Sequence, residues 1–293
     1  MSQHPPTIQS SLAKDANVTY IDTIQAYDQW ADVYDTDGNF LQALDTIEMQ
    51  WMLPEFWTEI KNQTQQKDCR QWKLVDLGCG TGRNTLQLLN TVSRDAPESE
   101  IQIIGVDASN GMLDIARRRM TESISQTPSN IEVKLAPLNL LADIESPSNA
   151  QALDLMRDAD GMISTLVLEH IPLDIFFGAA ASVLRSGAYF LVTNMHSDMG
   201  QRSQAGFVDS ATGKKVRPSR SYAHEIEYIL AEAQRVGFEI VQLPTMTAAG
   251  MKGGVQGVVE REVTPEMVER LGPRAQKYVG VCQVWLGVCF RKR

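Results

Sequence analysis

Hydrophobic positions along the chain change period near residue 67. From Tyr20 to about Ile60, aromatic and aliphatic side chains recur at helical spacing: Tyr27, Trp30, Ala31 and Tyr34, then Phe40, Leu41, Leu44, Ile47 and Trp51. Asp37-Gly38-Asn39 punctuates the series, so the pattern predicts two helices around a turn, with Pro54 near the start of a further one. Beyond Lys67, short apolar runs alternate with longer amphipathic stretches. The runs predict strands at Trp72–Leu77, Ile101–Asp107, Ile131–Leu135, Gly161–Ser164, Ala188–Thr193, Phe238–Leu243 and Gln283–Phe290. The stretches predict helices at Asn84–Ser93, Met112–Thr121, Leu173–Leu184, Ser221–Val236 and Pro265–Leu271. Strand and helix in alternation indicate an α/β fold, a mostly parallel sheet with helices on both faces.

Two segments break the rhythm. Met195–Arg220 has scattered Gly, Ser and Asp with little periodicity, and Thr245–Gly257 carries Gly250, Gly253, Gly254 and Gly257. Loops this long within a compact domain often act as lids or binding loops, a surface insertion being the plain alternative. The expected organisation is a polar arm and helical cover over 1–66, followed by a sheet domain over 67–293 that carries both insertions.

Composition narrows the class. Hydrophobic residues make up 43% of the 293, enough for a substantial core, and the net charge of −9 opposes a polyanionic partner while leaving room for a local basic groove. Cys69, Cys79, Cys282 and Cys289 contain no CxxC pair, which fits a reducing compartment. The opening MSQHPPTIQS lacks a basic stretch followed by an apolar core, and no apolar run approaches the ~18 residues of a membrane span. A cytoplasmic protein is expected, with no nucleic-acid and no membrane partner, as monomer or homodimer.

The strongest local signal is Val75-Asp76-Leu77-Gly78-Cys79-Gly80-Thr81-Gly82-Arg83-Asn84, where the first strand of the sheet region gives way to a helix. Glycines there permit a tight turn and close backbone approach to a ligand, and the helix N-terminus offers N–H groups to a negative group. The next strand ends at Asp107, so its carboxylate belongs at the adjacent strand tip, where it can accept both hydroxyls of a ribose. The plain alternative is a helix cap, with Ala108 and Ser109 starting the helix. A dinucleotide GxGxxG would need glycine at Arg83, so an NAD-dependent dehydrogenase fails on spacing.

The D-x-G-x-G-x-G run from Asp76 to Gly82 resembles the first motif of class I S-adenosylmethionine-dependent methyltransferases. The resemblance continues through Asp160-Gly161-Met162-Ile163-Ser164 and Thr165-Leu166-Val167-Leu168-Glu169-His170-Ile171. It extends to Val183-Leu184-Arg185-Ser186-Gly187-Ala188, where the family's proline and second glycine are Ser186 and Ala188. Upstream, Tyr27-Asp28-Gln29-Trp30-Ala31-Asp32-Val33-Tyr34-Asp35 is similar to the helix that covers the cofactor in many small-molecule methyltransferases. The resemblance implies a Rossmann-like seven-stranded sheet with an antiparallel last strand and an N-terminal helical cover. It implies S-adenosyl-L-methionine as cofactor and S-adenosyl-L-homocysteine as product. Carried over by position, Gly78, Gly80 and Gly82 meet the cofactor through their backbone, Asp107 holds its ribose and Asp76 orients the loop. Ala108, Met112, Leu140 and Thr165, with Tyr34 from the cover, complete the cofactor-binding set. The acid that the family places near the adenine amine is missing from Leu135-Ala136-Pro137-Leu138-Asn139-Leu140, and the Asn139 amide oxygen is expected in its stead.

Methyl transfer from a sulfonium leaves the hard chemistry to the cofactor; the protein holds the acceptor and excludes water. A general base adds about 10²–10⁴-fold where the acceptor must lose a proton. Of four histidines, His4 lies in the arm and His224 begins a predicted helix. His170 and His196 follow the fourth and fifth strands, at the edge where open α/β sheets bind ligands, and are the catalytic candidates. A backbone-bonded histidine shaping the pocket is the plain alternative for each, as a solvated turn is for Glu169. No histidine pair has ligand spacing with a carboxylate, so no metal is expected. Neither Asn-Pro-Pro-Tyr nor Pro-Cys follows the fourth strand, which leaves a small-molecule methyl acceptor, with oxygen or nitrogen as the methylated atom. Two other readings stand beside it: a cofactor-binding enzyme that promotes cyclisation or elimination, and a non-catalytic regulatory member of the fold.

Overall fold

The computed structural model describes residues 7–8, 17–63, 71–96, 98–124, 128–143, 146–244 and 255–293. The chain opens with β1 (Val18–Ile21), α1 (Thr23–Trp30), a 3-10 turn (Ala31–Val33) and α2 (Phe40–Gln63). The alternating region runs β2 (Gln71–Leu77), α3 (Arg83–Asp95), β3 (Glu100–Asp107), α4 (Asn110–Ile124), β4 (Ile131–Pro137) and α5 (Pro147–Met156). It continues with β5 (Ala159–Thr165), α6 (Leu173–Val183) and β6 (Leu184–Met195). Then come α7 (Ser197–Gly200), β7 (Phe207–Val208), β8 (Lys215–Pro218), α8 (Ile226–Arg235), β9 (Phe238–Val241), β10 (Val258–Glu262), α9 (Val268–Leu271) and β11 (Gln283–Lys292).

The main sheet has the order β4–β3–β2–β5–β6–β11. Its first five strands are mutually parallel, and β11 is antiparallel to β6. Both β9 and β10 pair with the outer edge of β11, β9 along Cys289–Lys292 and β10 along Gln283–Val288. The expected Rossmann-like sheet is therefore seven columns wide but built from eight strands, β10 being the one that periodicity missed. Chain order reverses between β2 and β5, which opens a crevice at their C-terminal ends.

Strand neighbours point to opposite faces, and that alternation splits the core in two. Leu74, Ile103, Ile163 and Leu191 meet α2, α3 and α4, while Val75, Ile104, Met162 and Phe190 meet α5, α6 and α8. Strand β5 is buried at every position, as a central parallel strand covered on both faces must be. Proline inside a helix removes a hydrogen bond and crowds the preceding turn, which argues for a break at Pro54. Instead α2 runs through it, because Met52, Leu53, Phe56, Trp57 and Ile60 on either side are all buried against the sheet. Each such side chain removed from water contributes roughly 1.5–3 kcal/mol, enough to override one lost bond.

The Met195–Arg220 segment, irregular by sequence, folds as α7 and the β7–β8 pair, and β8 pairs in parallel with β1 to make a separate three-stranded sheet. Helix α5 and strand β1 also had no counterpart in the sequence pattern, and α8 begins at Ile226, later than Ser221. The expected boundary at 66/67 and most of Thr245–Gly257 lie outside the described residues. Among the described residues no helix is long and apolar enough to cross a membrane.

Candidate active site

The β2–α3 turn carries Gly78, Gly80 and Gly82, all at positive φ. At Gly78 a Cβ would stand 2.3 Å from Val167 Cγ2, so only glycine lets the β2 and β5 loops approach this closely. The Gly78 and Cys79 amides donate to the Val106 carbonyl at 2.8 and 2.9 Å. Asp107 ties the turn to the next loop: its Oδ2 accepts from the Gly80 amide at 2.9 Å and its Oδ1 from the Ser109 amide at 2.8 Å. Burial raises the Asp107 carboxyl, and these amides oppose the shift.

A cavity of about 300 Å³ opens in front of this turn. Gly78, Gly80, Asp107, Ala108 and Met112 line it, with Asn139, Leu140 and Thr165 beyond them and Tyr34 and His170 towards the cover. The Asn139 amide oxygen already accepts the Leu141 N–H at 2.9 Å, leaving one lone pair for a ligand. Asp76 and Gly82 do not line the cavity. Asp76 is fully buried behind the turn, its Oδ2 accepting from the Thr85 hydroxyl at 2.6 Å and its Oδ1 without a protein partner. Burial pushes its carboxyl up to about 7.

Helix α1 closes the cavity, and two carboxylates of the aromatic-rich N-terminal motif latch it down. Asp28 Oδ1 accepts from the Ser109 hydroxyl (2.6 Å) and the Gly111 amide (2.9 Å). Asp35 receives Thr81 at 3.0 Å, Gln42 at 2.9 Å and the Arg119 guanidinium at 2.5 Å. The sequence pattern gave the tyrosines and tryptophan a role but not these aspartates; the repeated Tyr-Asp pair, seven residues apart, was the available signal.

His170 is held on both sides. Its Nδ1 lies 3.1 Å from the Arg220 carbonyl, which can only accept, so Nδ1 carries the proton and Nε2 accepts from the Tyr27 hydroxyl at 2.7 Å. Burial lowers it to about 4 and keeps the ring neutral. His196 is elsewhere: it caps α7 by accepting the Asp198 amide at Nδ1 (3.1 Å) and donates from Nε2 to Glu260 at 3.0 Å. It lines neither this cavity nor the next one. His224 donates to the Ile171 carbonyl at 3.0 Å and stacks on Tyr222.

A second cavity of about 530 Å³ adjoins the first, sharing Tyr27, Tyr34 and Leu166 with it. Leu166 is one of two non-glycine residues at positive φ (57°) among the described residues, a strained conformation held by its amide bond to the Thr193 carbonyl at 2.9 Å. Glu169 lines this second cavity and is 4% exposed, so the plain alternative of a solvated turn does not hold for it. Burial pushes its carboxyl up to about 8. No cluster of three metal-ligating side chains occurs among the described residues.

Comparisons with known proteins bear on this arrangement. A family described as "Methyltransferase domain" matches residues 70–238. An uncharacterized methyltransferase of Emericella nidulans is 50% identical over 277 residues, covering 92% of this chain and 91% of that protein. Among solved structures, the [4+2]-cyclase SpnF is 17% identical with a TM-score of 0.50, covering 94% of this chain and 97% of its own. An S-adenosylmethionine dependent methyltransferase from Mesorhizobium loti is 18% identical with a TM-score of 0.46, over 75% of this chain and 90% of that one.

Proposed function

Because the chain belongs to the class I S-adenosylmethionine-dependent methyltransferases, with S-adenosylmethionine as cofactor, we propose that it methylates an oxygen or nitrogen of a small metabolite seated in the second cavity. The observation that carries this reading is the pair of adjoining cavities with Tyr27, Tyr34 and Leu166 common to both. In-line displacement needs donor and acceptor on two sides of one narrow gap.

The residues of the first cavity fit the cofactor. No atom lies within 4 Å of where a Cβ on Gly80 would stand, so the backbone there is open to a ligand. Asp107 presents its remaining lone pairs at the adjacent strand tip, and Met112, Leu138 and Leu140 supply an apolar slot. When bound, the cofactor supplies an electrophilic methyl group on a sulfonium. The chain's own work is orientation and exclusion of water: the latches at Asp28 and Asp35 hold α1 closed, and Leu166 with the two tyrosines sets the approach. Placing two reactants this way can supply roughly 7–11 kcal/mol of the barrier. His170, with both nitrogens bonded, holds Tyr27 at the shared wall.

The test is incubation with methyl-labelled cofactor and a protein-free metabolite extract. S-adenosylhomocysteine and a labelled product should appear together. Bound cofactor without either would favour the cyclisation or elimination reading. Asp107→Ala should abolish cofactor binding in calorimetry with the fold retained by circular dichroism; unchanged affinity would remove Asp107 from the ribose role.

A further inference from the structure

The second cavity is chemically different at its buried and exposed ends. At the buried end stands Glu169, whose Oε2 has no protein partner while its backbone is fixed: the Glu169 carbonyl accepts the Tyr222 amide at 2.7 Å and its amide meets Asn194 Oδ1 at 3.3 Å. An unpaired buried polar oxygen costs about 1–3 kcal/mol, and Glu169 lines the cavity from which a ligand can satisfy it. The walls are aromatic: Trp30 stacks on Phe207 with centroids 5.7 Å apart, and Phe40 stacks on Tyr278 at 4.9 Å.

At the exposed end the lining includes Lys215, Arg217, Arg274 and Lys277. Among the described residues, the carboxylates in the lining are Asp37 and Glu169. Asp37 accepts the Trp30 indole N–H at 2.9 Å and lies 3.7 Å from Arg274. No ion pair among the described residues engages Lys215 or Arg217, both carried by β8. Four cations against two carboxylates give this lining a positive excess on a chain of net charge −9, which favours an anionic ligand.

We propose that the second cavity takes an acceptor of three parts: a protic oxygen or nitrogen that gives its proton to Glu169, a flat apolar body between the aromatic walls, and an anionic group held by the Lys215–Arg217–Arg274–Lys277 rim. The proposal rests on the methyl-transfer reading and deepens it. The acceptor's lone pair forms the new bond to carbon as the carbon–sulfur bond breaks, its proton passes to the Glu169 carboxylate, and Glu169 returns that proton to solvent after release. His170 does not compete for the proton, since its Nε2 lone pair already takes the Tyr27 hydroxyl. Burial holds the Glu169 carboxyl up at about 8, so the ionised form that takes the proton grows as pH rises through that value.

The product of the labelling reaction, made with the full chain, is separated on an anion exchanger. Label among the anions is the expected result. Label among neutral or cationic compounds overturns the acceptor class while leaving methyl transfer standing. No labelled product in any fraction, with cofactor bound normally, overturns methyl transfer and this proposal with it. Purified labelled product is then used in equilibrium dialysis against wild type and Lys215→Glu/Arg217→Glu. Retention should fall on the order of tenfold in the variant and weaken with salt, with cofactor affinity unchanged. Equal, salt-independent retention overturns the rim. Glu169→Gln preserves shape but takes no proton, and should lower kcat by about 10²–10⁴ with cofactor and product affinity retained. A kcat equal to wild type overturns the role of Glu169.

Discussion

Replacing Asp45 by asparagine isolates the electrostatic joint between the cover helix and the sheet. Asp45 lies in α2 with no exposed surface, and its two oxygens receive four donors from three other elements. Oδ2 accepts from Arg83 Nη2 at 2.8 Å and Asn84 Nδ2 at 2.9 Å; Oδ1 accepts from the Thr193 hydroxyl at 2.5 Å and the Trp285 indole at 3.0 Å. In Asp45→Asn one oxygen becomes an NH₂ facing two of those donors. On the Oδ1 side the Thr193 hydroxyl can turn to accept, but the Trp285 N–H is stranded. On the Oδ2 side Arg83 and Asn84 both lose their acceptor. Breaking a buried ion pair by removing one partner costs about 3–5 kcal/mol. Arg83 keeps 18% of its side chain exposed, which places the loss near the lower end. At about 2–4 °C per kcal/mol for a chain of this size, about 3 kcal/mol lowers the melting temperature by about 6–12 °C. Urea and thermal unfolding of wild type, Asp45→Asn, Arg83→Met and the double variant form a cycle whose coupling should reach about 1 kcal/mol or more. A single-variant loss below about 1 kcal/mol, or strict additivity, would refute the reasoning.

Two further outcomes follow from the same structure. Gly78→Ala combines a left-handed backbone penalty of about 1–2 kcal/mol with about 1–3 kcal/mol of overpacking against Val167. Adding Val167→Ala should return the second share and leave the first, and denaturant unfolding showing no rescue would contradict the contact. For pH, burial holds His170 and His224 down to about 4, against an ordinary 6.5. It also pushes Asp76 and Glu169 up to about 7 and about 8, from 3.8 and 4.5. The histidines bind more protons when unfolded, so their share of stability is lost as pH falls from 6.5 towards about 4. The carboxyls bind more protons when folded, so their share is lost as pH rises through about 7 and about 8. The two oppose each other below 6.5, and between 6.5 and about 8 only the carboxyl share acts. Stability should therefore decline there, and Glu169→Gln should flatten the decline; a rising curve in chemical denaturation would contradict the assignment.

Much of the central sheet was legible because parallel strands buried on both faces leave continuous apolar runs, as at Ala188–Val192 in β6. The glycine turn and Asp107 were legible for a related reason: few residue types satisfy positive φ beside a strand tip. What escaped depends on contacts distant in sequence. Pro54 read as a break because its compensation comes from packing against β5 and β6. Strand β10 is short, and its partner is β11 across residues 263–282. Glu169 reads as a solvated turn from its neighbours, and only the fold buries it beside Asn194 and Tyr222. The β7–β8 pair carries no periodic signal, since each strand has too few residues to show one.

The parallel pairing of β1 with β8 has a consequence for how the molecule comes into being. Val18 pairs with Lys215, so β1 leaves the ribosome long before its partner strand does. A chain synthesised as far as β6 already holds the partners of Asp28 and Asp35, yet lacks the strand that β1 pairs with. The second cavity gains Phe207, Lys215 and Arg217 in its lining only after the insertion has emerged. The same strand-to-strand seam ties cover to insertion, so the wall over the second cavity is built from residues far apart in the sequence.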